Sequence, residues 1–70
     1  MMYKSLDQFN IADRGTVYIV EYKGETIYKS KNNPLIGSKV KINNIEFIIK
    51  AVESNCIETI SDGQMIGLLV

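Results

Sequence analysis

The chain has no histidine, no tryptophan, a single cysteine at Cys56, a single proline at Pro34 and no net charge. Without histidine, the commonest general base and the commonest metal ligand are both missing, and Cys56 lacks the usual partner of a cysteine nucleophile. One cysteine closes no intramolecular disulfide, and its isolation fits a reducing compartment, with packing or surface exposure as its ordinary role. Eight basic residues cancel eight acidic ones, so no long-range field draws the chain to phosphate backbones or anionic membranes. No apolar run approaches the roughly 20 residues needed to cross a bilayer. The opening MMYKSLDQF lacks the apolar core of a signal peptide, and the expectation is a soluble, cytoplasmic protein.

What is present is an ordinary globular composition, 46% apolar and 23% charged, which argues against disorder. Seventy residues make one domain, because a chain of this size buries only about 60% of its unfolded surface and cannot fill two cores. The chain is centred on Lys39 to Glu53, KVKINNIEFIIKAVE, which reads as a β-hairpin turning at Asn43-Asn44. Asparagine tolerates the left-handed conformation that such a turn demands at both central positions. The turn sets a register in which Ile42 faces Ile45, Lys41 faces Glu46 and Val40 faces Phe47. Apolar alternation is expected to continue through Ile49 and Ala51, with Ile48 and Val52 on a mixed second face.

Around this hairpin, Leu6 and Phe9 are expected core contacts, with a first strand near Gln8, and NIADRG reads as a turn ending at Gly15. Thr16 to Tyr22 is rich in β-branched and aromatic residues and reads as a strand. A tight Lys23-Gly24 turn leads into Glu25 to Ser30, which would pair Val20 with Ile27 and Ile19 with Tyr28. SKNNP is a polar loop, Ser54-Asn55 a turn or bulge, Ile57 to Ile60 a strand and Ser61 to Gln64 a turn. Met65 to Val70 reads as a buried closing strand. No segment shows a helical stripe, and short strands between turn signals point to an all-β fold, a small closed barrel.

Four stretches, in order, resemble the second domain of translational GTPases of the elongation factor Tu type. Leu6-Asp7-Gln8-Phe9-Asn10-Ile11, running into Arg14-Gly15-Thr16-Val17, is similar to that domain's opening. Leu35-Ile36-Gly37-Ser38-Lys39-Val40-Lys41-Ile42 is similar to its glycine-containing strand, and Val52-Glu53 and Gly63 to Leu69 to its last two landmarks. The resemblance covers nearly the whole chain and implies a six- or seven-stranded Greek-key barrel. In the family this barrel is a non-catalytic module beside the GTPase domain, contacting ribosomal RNA and, in elongation factor Tu, the aminoacyl end of transfer RNA. Asp7 and Glu53 match family acids. Departures fall at the transfer-RNA pocket, where Leu6 replaces a glutamate, Met65 an asparagine, and Ser54-Asn55-Cys56 a Met-Phe-Arg. Tyr18-Ile19-Val20 stands where a Thr-Gly pair is expected, with one residue fewer.

The chain has neither a phosphate-binding loop nor the groups catalysis needs, so the expectation is no enzyme and no cofactor. A cation site from Glu53, Glu58 and Asp62 matches no familiar ligand spacing. Arg14 reads either as a fork for a phosphate or carboxylate, or as a stem lying along the barrel wall beside a turn closed by Asp13. Tyr18, Tyr22 and Tyr28, with Lys23, Lys29 and Lys31 near them, read either as a base-stacking surface or as half-buried strand residues beside a guarded edge. The candidate binding residues are therefore Asp7, Arg14, Tyr18, Tyr28, Lys29 and Glu53. Two functions remain open: a stand-alone module docking on a protein or structured RNA such as the ribosome, and an assembly subunit forming homo-oligomers through an apolar patch including Ile48 and Val52. Neither a small-molecule substrate nor a membrane partner is expected.

Overall fold

The computed structural model describes residues 2–28, 35–54 and 59–70. These form strands and turns with no helix, and no helix among them is long and apolar enough to cross a membrane. The expected SKNNP loop, the Asn55 end of the turn or bulge after β-strand Ala51–Ser54, and the Ile57-Glu58 start of a strand lie outside the described residues, as do Lys29 and Cys56. The strands are β1 (Met2–Tyr3), β2 (Asp7–Ile11), β3 (Gly15–Glu21), β4 (Ile27–Tyr28), β5 (Lys39–Ile42), β6 (Ile45–Ile48), β7 (Ala51–Ser54), β8 (Thr59–Ile60) and β9 (Met65–Leu69). Among the described residues they pair as three sheets, β1-β5-β6, β2-β3-β9-β7 and β4-β8, rather than as one closed barrel.

The central hairpin forms in the register its sequence dictates. Asn43 and Asn44 have φ of 52° and 68°, both left-handed, as a two-residue turn requires. Ile42 lies opposite Ile45, Lys41 opposite Glu46 and Val40 opposite Phe47. The turn is also tied to the chain start, because Asn43 Oδ1 accepts from Ser5 N at 3.0 Å and its backbone N donates to Tyr3 O at 3.0 Å. The alternation does not run on to Ala51. Strand β6 ends at Ile48, Ile49 N donates to Ser38 O at 3.0 Å, and Lys50 N donates to Leu69 O at 2.7 Å. The chain thus crosses between sheets at Ile49-Lys50, and this corner shifts the inward-facing parity by one residue. Ile49 stays buried, while Val52 rather than Ala51 packs against the core.

The expected pairing of Val20 with Ile27 and Ile19 with Tyr28 is replaced. Strand β3 has β2 on one edge and β9 on the other, with Val20 opposite Ile66 and Ile19 opposite Gly67. Neither edge is left for β4, whose Ile27 and Tyr28 pair with Ile60 and Thr59. Of Lys23 and Gly24 only the glycine has positive φ, so the two do not form the hairpin turn that would fold the chain back. Instead Tyr22 turns inward and its backbone exchanges 2.7 Å hydrogen bonds with the Ser61 to Gln64 turn, while Asp62 Oδ1 accepts from Gly24 N at 2.9 Å.

One core lies between the two larger sheets. Val20, Ile66 and Leu68 enter it from the four-stranded sheet, and Tyr3, Val40 and Ile42 from the three-stranded one, with Ile49 and Ile60 beside them. The last strand does not close an edge. It lies between β3 and β7, with Ile66 to Leu69 all buried. Leu6 and Phe9 are not core contacts: they are 56% and 50% exposed. All five residues of β2 are exposed, because it is an edge strand that does not cover the core.

Candidate binding face

The four-stranded sheet is apolar on both faces. Along β3, Val20 points into the core, while Val17 and Ile19 alternate onto the outer side. Cross-strand register brings Phe9 beside Val17 and Asp7 beside Ile19 from β2. From the other side, β9 contributes Met65 and Gly67, and β7 places Glu53 opposite Gly67. The outer side therefore holds apolar residues between Asp7 and Glu53 on the edge strands, with Glu21 opposite Met65 as a third carboxylate.

Gly67 gives this face its relief. A Cβ there would lie 3.2 Å from Val17 Cγ1, 3.6 Å from Ile19 Cδ1 and 3.9 Å from Glu53 Cβ, so the bare backbone forms the floor and its neighbours the walls. The result is an open groove of about 360 Å³ lined by Phe9, Ile11, Val17, Ile19, Glu53 and Met65, together with Ile66 and Gly67. Phe9 and Met65 are about half exposed, which is unusual for large apolar side chains gathered at one place. Charge on the sheet has a single sign. Strands β2, β3, β7 and β9 carry Asp7, Glu21 and Glu53 and neither lysine nor arginine.

The structure places the six candidate residues in several settings. Glu53 lines the groove, and Asp7 lies on the same face at the start of β2, its Oδ1 accepting from Gln8 N at 2.8 Å. Arg14 sits exposed in the turn of the β2–β3 hairpin, where its N donates to Ile11 O at 3.1 Å and the preceding Asp13 has φ of 65°. Tyr18 faces the other way, half-buried against the core, its ring 5.4 Å from that of Phe47. Tyr28 is 57% exposed on β4, in a different sheet, and Lys29 lies outside the described residues. Asp7 and Glu53 thus lie on the same side of one sheet but on its two opposite edge strands, with Arg14 in the turn of the β2–β3 hairpin, while Tyr18 faces the core and Tyr28 lies in another sheet.

Phe9, Ile11, Ile19, Met65 and Gly67 complete a face that sequence reasoning assigned elsewhere. One signal was available: a glycine inside the apolar run MIGLLV marks a close approach or a hollow in a strand. The patch expected to join Ile48 and Val52 is not formed, because Ile48 points outward from β6 while Val52 packs on the core. Of the three acids weighed as a cation site, Asp62 caps Gly24 and Glu58 lies outside the described residues. Among the described residues no group of three acidic, cysteine or histidine side chains is arranged to hold a metal. No family model, no curated protein and no solved structure matches the chain.

Proposed function

We propose that the chain is a non-enzymatic binding module, a small all-β domain resembling the second domain of translation factors though its sheets, among the described residues, are not closed into one barrel, that docks on a macromolecular partner through the outer face of the β2-β3-β9-β7 sheet. The observation that carries this reading is the open apolar groove over Gly67, lined by Glu53, with Asp7 opposite Ile19 on the same side of the sheet. The all-β pattern and the order of the four family-like stretches support the likeness to that domain. A surface of apolar side chains bounded by acids suits a protein partner presenting apolar and basic groups better than it suits a phosphate backbone.

Affinity capture from host lysate with the tagged chain and its Glu53→Lys and Phe9→Ser variants tests the reading. A partner held by the wild-type chain and lost from both variants supports it. Equal capture by all three places binding elsewhere. Co-sedimentation with ribosomes at low and higher salt separates the structured-RNA form: saturable pelleting that charge reversal at Arg14 and Lys29 abolishes, and Glu53→Lys leaves intact, would move the interface to the basic residues.

A further inference from the structure

We infer that the partner of this face is a second copy of the chain, whose β1-β5-β6 sheet presents its outer face to the groove. The inference rests on the reading of the groove as a binding surface and names its occupant. Charge complementarity carries it. The chain is neutral overall, yet its charge is segregated: the four-stranded sheet carries only acids, while the outer face of the three-stranded sheet carries Lys39 and Lys41 against Glu46 alone. Val40 and Ile42 point inward, so the two lysines between and beside them point outward, opposite Ile48 and Glu46, with Met2 beside Lys41. Met2 is 71% and Ile48 57% exposed.

Each face thus offers what the other lacks. Apolar Met2 and Ile48 meet the apolar groove floor, and the lysines meet Asp7 and Glu53. Lys39 and Glu46 are 3.9 Å apart and well exposed, a pair worth little and readily exchanged. Lys41 and Glu53 have no ion-pair partner among the described residues. Both sheets pack on one core, so their outer faces look away from each other, and a contact between them joins copies head to tail without closing into a two-fold dimer.

Light scattering and sedimentation across a concentration series at low ionic strength test this. The expected result is an average mass that rises with concentration and falls when salt is added. Glu53→Lys and Lys41→Glu should each weaken association about tenfold or more. An equimolar mixture of the two should recover it, because each supplies the face the other has lost. Ile48→Thr, which leaves the Lys39–Glu46 pair intact, should weaken it as well. A wild-type chain that stays monomeric throughout overturns the inference, as does assembly that neither Lys41→Glu nor Ile48→Thr reduces. If the chain is monomeric but Glu53→Lys still abolishes capture of another protein, the binding face stands and only this occupant fails.

Discussion

The two larger sheets share a core but differ in how their strands meet and in what they show to solvent. In the β1-β5-β6 sheet the main pairing is a hairpin closed by adjacent asparagines, inner and outer residues alternate cleanly along β5, and the outer face is basic. In the β2-β3-β9-β7 sheet, β9 joins β3, far away in sequence, to β7, β3 is apolar on both faces, and the outer face is acidic and grooved. A strand with one apolar face is committed to the core, whereas a strand with two leaves a second apolar face outside it.

The largest expected effect concerns the shared core. Ile42 and Leu68, one from each sheet, are both fully buried, and truncating either to alanine should cost about 2–5 kcal/mol. Ile45→Ala, at the residue directly opposite Ile42 but 57% exposed, should cost under about 1 kcal/mol. Denaturant midpoints for the three variants check this, and a Leu68→Ala chain that keeps a separately melting three-stranded sheet would break the idea of one core. Next comes Gly15→Ala in the four-stranded sheet. Gly15 has φ of 129°, and an added Cβ would collide with the Val70 carbonyl oxygen, so a loss of about 1–3 kcal/mol is expected from the same measurement.

Asn44→Ala in the three-stranded sheet should cost about 1–2 kcal/mol, because alanine lacks asparagine's tolerance of the left-handed conformation, and Asn44→Gly should recover it. The smallest effect is one of pH. Burial holds the Tyr3 hydroxyl above the usual phenol range, opposed by a hydrogen bond with the Lys23 backbone and reinforced by nearby Tyr22. With the folded value raised, the contribution of Tyr3 to stability is present below about pH 10 and lost as pH rises through the folded value. Urea midpoints should therefore fall more steeply with alkaline pH for the wild-type chain than for Tyr3→Phe.

Sequence reasoning recovered the hairpin because its register depends on two adjacent residues, Asn43 and Asn44, and recovered β3 because β-branched and aromatic residues fill it. It misplaced β4 because local alternation says nothing of whether an edge is already taken, and β3 has both edges occupied by β2 and β9. It missed the corner at Ile49-Lys50 because the bonds that make it reach Ser38 and Leu69. Asp7 and Glu53 were legible as part of the candidate site, whereas Phe9 was assigned to the core, since apolar character alone does not distinguish a buried face from an exposed one.

The most direct test of the binding face is a footprint on the chain itself, read from backbone amide NMR signals of the labelled protein in dilute buffer and then in host lysate. Shifts or broadening concentrated at Phe9, Ile11, Ile19, Glu53, Met65 and Gly67 are expected whichever molecule binds there. Signals at those residues that stay unchanged, while others move or none do, would contradict the assignment of that face as the place where this protein meets its partner.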